Sequence, residues 1–128
     1  MLFAVAIQKP PNVSEAEIEE FCKAFGLLSP RDTSRTVVKV FRVVVRKAAQ
    51  EGEFKSAEIA EEARVNRITA IHHLNRLLER ELLEKDDNSY RLRQQSFQEM
   101  FEMMAQEQER MLRRMRILTK KMDEEMRI

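Results

Sequence analysis

His72, His73 and Cys22 are the only imidazole and thiol side chains in the chain. Adjacent helical residues point about 100° apart, so the two histidines cannot close on one ion, and a single thiol adds too little for zinc. The lone cysteine excludes an intrachain disulfide, fits a reducing interior and reads as a core residue. There is no nucleophile elbow and no histidine and carboxylate grouping at catalytic spacing. With Gly26 and Gly52 as the only glycines, little material exists for a phosphate cradle. Neither an enzyme nor a metal or other cofactor is expected. A more ordered set runs from Arg67 to Arg76, where Arg67, Ile68, Thr69, Ile71, His72 and Arg76 cluster. Guanidinium groups bind phosphate oxygens and guanine edges, hydroxyls bind phosphate, and isoleucine packs on thymine methyls, so this set suits duplex DNA.

The elements that must position these residues lie between Lys55 and Arg93. Ser56 reads as an N-cap, with Ile59 and Ala60 on the inner face of a short helix whose apolar spacing breaks at Arg64 and Val65. Asn66 caps a second helix, on which Ala70, Leu74, Leu77 and Leu78 recur at three- and four-residue spacing and turn one face to a core. Its opposite face is then free to enter a major groove, the geometry of a helix-turn-helix with a recognition helix over 66–83. Beyond Leu83 the period changes, with Tyr90 and Leu92 alternating against Arg91 and Arg93, which predicts a small two-stranded wing. Lys55, Ser56, Arg76, Arg80, Arg91 and Arg93 surround the recognition helix as expected phosphate contacts.

The string from Glu58 to Leu92, EIAEEARVNRITAIHHLNRLLERELLEKDDNSYRL, resembles the winged-helix core of the ArsR-like and MarR-like transcriptional regulators. The resemblance covers roughly the middle third of the chain. It implies that Ile59, Ala60, Val65, Ala70, Leu74 and Leu77 pack the core. It further implies that Thr69 touches phosphate and that Arg67, Ile68, Ile71 and His72 face bases. Members of that family commonly carry glycine in the turn and again before the wing, where this chain has Arg64 and Glu81. A residue with a Cβ there must accept a left-handed conformation or close the turn differently.

The rest of the chain supports this middle portion. The 128 residues allow one domain with extensions, and 43% hydrophobic with 35% charged residues describes helices with heavily solvated outer faces. A net charge of +1 says nothing about a partner globally, so any nucleic-acid footprint must come from how the charges are distributed. The expected organisation is an N-terminal segment and helix over 1–30, the winged helix-turn-helix over 31–93 and a long helix over 94–128. No run of apolar residues is long enough for a membrane span. The apolar stretch from Leu2 to Ile7 lacks the basic leader and cleavage context of a signal peptide, which makes the cytoplasm the expected location. That stretch reads equally as an edge strand or as a segment pinned on a helix. After the Pro10-Pro11 linker, Ser14 and Glu17 form a capping box, Ile18, Phe21, Cys22 and Phe25 an apolar face, and Gly26 a C-terminal cap. Val13 and Ile18 are placed for a hydrophobic staple, and Ser29-Pro30-Arg31-Asp32 opens the next helix.

From Thr36 to Arg46 the composition is rich in β-branched residues and favours a strand, but the periodicity favours a helix. Arg35, Lys39, Arg42 and Arg46 step by four, three and four along one side, leaving Val37, Val40, Phe41, Val44 and Ala48 on another. This helix should end near Gly52.

The chain from Gln94 onward has no glycine or proline and should run as one helix of roughly 50 Å. Phe97, Phe101, Met104, Gln108, Met111, Met115, Leu118 and Met122 alternate steps of four and three, a heptad seam that calls for a partner helix. Acidic Glu99, Glu102, Glu107 and Glu109 precede basic Arg110, Arg113, Arg114, Arg116, Lys120 and Lys121. Antiparallel pairing brings unlike halves together, whereas parallel pairing aligns Gln108 with its own copy; the charges lean toward the first.

These features predict a mostly α-helical, homodimeric winged-helix protein that binds double-stranded DNA sequence-specifically and regulates transcription. The alternative is a winged-helix adaptor that binds proteins in a multisubunit assembly without reading bases. Asp86 and Asp87 at the wing tip would repel phosphate, and exposed Ile68 and Ile71 also suit a protein interface.

Overall fold

The computed structural model describes residues 13–28 and 34–127. The expectations for Leu2–Ile7, Pro10-Pro11 and Ser29–Asp32 lie outside the described residues. The fold is mostly helical, with a small three-stranded antiparallel sheet and a long C-terminal helix. Its elements are α1 (Glu15–Ala24), α2 (Ser34–Gln50), β1 (Glu53–Phe54), α3 (Ser56–Ala63), α4 (Arg67–Glu79), β2 (Leu83–Asp86), β3 (Ser89–Leu92) and α5 (Phe97–Met126). Two compact units divide the chain, one ending at Arg91 and the other beginning at Leu92.

In the first unit α2 is the central element, and it is a helix despite its valines. Val37, Val38, Val40, Phe41, Val43 and Val44 are all buried, so tertiary packing on several sides outweighs a β propensity worth at most about 1 kcal/mol per residue. Arg35, Lys39 and Arg46 remain exposed on the other side, as their spacing requires. Phe41 stacks on Phe21 of α1 with ring centroids 5.2 Å apart, and Phe21 in turn stacks on Phe25 at 4.2 Å. Ile18, Cys22, Leu27, Phe54, Ile59, Ala63, Ala70, Leu74, Leu77, Leu82, Leu83 and Tyr90 are buried as well.

The caps explain where the helices begin. The Ser14 hydroxyl accepts from the Glu17 N–H at 3.1 Å, and the Glu17 carboxylate accepts from the Ser14 N–H at 3.0 Å, the expected capping box. Asn66 Oδ1 accepts from the Thr69 N–H at 2.7 Å and starts α4 as expected. Ser56 is not a cap, however. It is the first helical residue of α3, Lys55 holds the cap position, and the Glu58 carboxylate satisfies the Lys55 N–H at 2.9 Å. The Glu58 carboxylate reaching back to the Lys55 N–H is the acidic half of a capping box without a hydroxyl partner, so the helix starts one residue earlier than the serine suggests.

Three helices end in the same way. The Leu27 N–H donates to the Cys22 carbonyl, Val65 to Ala60 and Leu82 to Leu77, closing six-residue turns around Gly26, Arg64 and Glu81. All three central residues are left-handed, with φ of 69°, 57° and 62°. Gly26 caps α1 as its position in the sequence predicts. Arg64 and Glu81 settle the question raised by the absence of glycine, because both adopt the left-handed conformation despite their Cβ atoms.

The expected two-stranded hairpin is part of a larger sheet of order β1-β3-β2. β1 pairs antiparallel with β3, matching Glu53 with Arg91 and Phe54 with Tyr90, whose rings stack at 6.1 Å. Two residues at Glu53–Phe54 give no alternation to read, so this strand is visible only through its pairing. The Asp87 turn between β2 and β3 is left-handed, with φ of 61°, a conformation that aspartate tolerates well.

The second unit contains α5, which starts at Phe97 rather than Gln94. Ser96 caps it by accepting from the Glu99 N–H at 3.0 Å, so the three preceding residues stay outside the helix. No helix among the described residues is long and apolar enough to cross a membrane.

Candidate functional site

α4 turns two faces to different environments. Ala70, His73, Leu74 and Leu77 are buried, fixing the helix on the core, while Arg67, Ile68, His72 and Asn75 are exposed. Ile68 keeps 81% of its surface accessible, far more than any apolar residue held for packing. Thr69 and Ile71 are half-buried at the edge of that face. Asn75 was not anticipated; its signal is its place three residues after His72 and four after Ile71, on the same helical face.

α4 differs from α1, α3 and α5 in having no acidic residue in its first turn. Its amino end therefore keeps the positive end of the helix dipole uncompensated by its own side chains. Arg67 is exposed there, one residue beyond the Asn66 cap, and Arg64 is exposed in the preceding turn.

The expected cations divide into two groups. Arg76 donates to the Leu27 carbonyl at 2.9 Å, and Arg80 reaches the Gly26 carbonyl at 3.4 Å, so both secure α4 against the chain that follows α1. Arg91 is paired within the sheet, with Nε 3.3 Å from Glu84 and Nη1 3.9 Å from Glu53. On α2, Arg42 donates to the Val13 carbonyl and Arg46 to Glu62, each at 3.1 Å. Arg67, Lys55, Arg35 and Lys39 remain exposed. Asp86 and Asp87 are also exposed at the hairpin tip. The exposed face of α4 thus carries its own cation, whereas Arg46 and Arg91 are paired with carboxylates and Arg42, Arg76 and Arg80 are engaged with backbone carbonyls.

Lys47 is the polar centre that the sequence reading missed. Its ammonium lies 2.8 Å from Glu51, 3.4 Å from Glu58 and 2.6 Å from Glu62, tying the end of α2 to α3. Hydrogen bonds to Glu51 and Glu62 hold the ammonium in its charged form well above the usual lysine range. The same contact with Lys47, aided by Arg46, holds the Glu62 carboxyl below its ordinary value. The available signal was the spacing of four between Lys47 and Glu51, and again between Glu58 and Glu62, which aligns each pair on one helical face.

His73 is buried beside Leu27, Val37, Val40, Phe41 and Leu77, as a packing residue would be. His72 is exposed, and the two rings lie 5.2 Å apart.

On α5, Phe101, Met111, Met115 and Met122 are exposed, as is Gln108, while Phe97, Met104 and Leu118 are half-buried. Met100, outside the predicted seam, is the buried residue of this helix.

Comparison with family models, curated proteins and solved structures produced no match.

Proposed function

We propose that this chain is a winged-helix protein that binds double-stranded DNA sequence-specifically as a homodimer and regulates transcription. In this reading α3, the Arg64–Asn66 turn and α4 form the helix-turn-helix, and β2 and β3 form the wing. The observation that carries it is the exposed face of α4. A helix anchored on one side by Ala70, Leu74 and Leu77 presents Arg67, Ile68, His72 and Asn75 on the other, with no acid in its first turn. A major groove accepts such a helix, and the side chains are chemically apt. Arg67 would bind a guanine edge or phosphate, Asn75 an adenine edge, and Ile68 a thymine methyl. Thr69, Ile71, Lys55 and Ser56 supply the margins of this contact. Arg76 and Arg91 serve internal contacts in the free chain.

A second reading, a protein-binding adaptor, is favoured by one specific observation: Arg46 and Arg91 are paired with carboxylates, and Arg42, Arg76 and Arg80 spend donors on backbone carbonyls, which leaves fewer guanidinium donors for phosphate. Titration of a random duplex with salt separates the two. DNA binding predicts affinity that falls steeply as salt rises, followed by recovery of a preferred sequence from a fragment selection. No binding at low salt would favour the adaptor.

A further inference from the structure

The seam of α5 supplies more than a site for a partner, because its flanking charges discriminate between registers. On the heptad that places Phe101, Gln108, Met115 and Met122 at one core position, Phe97, Met104, Met111 and Leu118 occupy the other. Glu107 and Arg114 then occupy equivalent flanking positions one heptad apart, next to the exposed residues Gln108 and Met115. Ala105 and Leu112 occupy the opposite flank.

We infer that a second copy of this chain covers the seam with its own α5 running antiparallel, the two-fold axis passing between Glu109 and Arg110. In that register Phe97 meets Met122 of the second copy, Phe101 meets Leu118, Met104 meets Met115, and Gln108 meets Met111. Every seam residue is used. Glu107 faces Arg114 of the second copy, symmetry repeats that pair, and Ala105 packs beside Leu112 on the other flank. Sliding by one heptad in one direction sets Glu107 against its own copy at the axis, and sliding in the other does the same to Arg114. Both neighbouring registers therefore place like charges together and also leave seam residues uncovered.

A parallel pair would satisfy Gln108 by matching it with itself. It would also put Glu107 beside Leu112 and Arg114 beside Thr119, leaving both charges without partners. Glu99, Glu102, Glu109, Arg110, Arg113 and Arg116 lie on the outer heptad positions in either orientation, so the flanking contacts of Glu107 and Arg114 decide between them.

The inference rests on the homodimer reading proposed above, and charge reversal with cross-linking tests the two separately. Sedimentation of the full chain should show a dimer. Glu107→Arg or Arg114→Glu alone should raise the dimer dissociation constant on the order of tenfold or more, because each creates two like-charge contacts. The exchanged double variant should restore it, with helix content by circular dichroism unchanged throughout. Under mild oxidation Met104→Cys and Met115→Cys chains should cross-link to each other when mixed, and Met115→Cys alone should not. Cys22 can be retained because it is buried. A dimer that ignores both reversals, or a Met115→Cys chain that cross-links to itself, overturns the antiparallel register and leaves the dimer standing. A parent chain that sediments as a monomer overturns the homodimer reading itself.

Discussion

The Arg76 guanidinium donates to the Leu27 carbonyl at 2.9 Å across 49 residues of sequence. Arg80, the residue that ends α4, makes the adjacent contact to Gly26, so two cations close the helix against the segment following α1. The exposed cation of α4, Arg67, is therefore distinct from Arg76 and Arg80, which secure the end of the helix.

Arg67 and Arg76 should separate by experiment. Arg67→Ala lowers affinity for a selected duplex by about 1 to 3 kcal/mol and leaves the melting temperature unchanged, because its side chain is exposed. Arg76→Ala lowers stability by about 1 to 2 kcal/mol through loss of a charge-assisted hydrogen bond. Thermal melts and duplex titrations of both variants check this; an unstable Arg67→Ala or a stable Arg76→Ala would invert the assignment.

All three left-handed helix ends should favour glycine. Gly26→Ala costs about 1 to 2 kcal/mol, since φ is 69° and a Cβ is disfavoured in that left-handed conformation. Arg64→Gly and Glu81→Gly each stabilise by about 0.5 to 1 kcal/mol, relieving a left-handed residue without removing a buried side chain. Urea unfolding of the three variants measures these effects directly.

Lys47→Met should destabilise the chain near neutral pH by leaving Glu51, Glu58 and Glu62 without their shared cation. Glu62 is held below its ordinary value, so its contribution is present above the normal carboxylate range and is lost as pH falls through its lowered value. The melting-temperature difference between parent and variant should consequently shrink on acidification. A constant difference would mean that packing of the lysine stem, not charge, is what matters.

Cys22 should resist alkylation in the folded chain at pH 8 and react once urea unfolds it. Burial, with a smaller effect from the Glu19 carboxylate, pushes its thiol up to about 11 from an ordinary 9.0. The sign for stability follows: the folded state favours the neutral thiol, so this contribution is intact below pH 9.0 and is lost as pH rises through about 11. Thiol titration with and without denaturant provides the check.

Local chemistry determined much of this protein from sequence alone. Ser14 with Glu17, Asn66 and Gly26 specify helix ends through bonds spanning only a few residues, and the spacing of Ala70, Leu74 and Leu77 fixes which side of α4 is buried. The four- and three-residue steps of Arg35, Lys39, Arg42 and Arg46 make α2 legible as a helix against its composition, and burial of its valines on several sides holds it so. Tertiary structure alone decided which charges remain available. The Arg76–Leu27 and Arg91–Glu53 contacts join positions 49 and 38 residues apart, and Lys47 gathers carboxylates from two elements; no periodicity encodes such meetings. The same holds for β1, whose two residues become a strand only because β3 pairs with them. Arg64 and Glu81 are a similar case: a side chain at a left-handed position is disfavoured locally, and it is tolerated because buried Ala63, Leu82 and Leu83 hold the neighbouring chain in place.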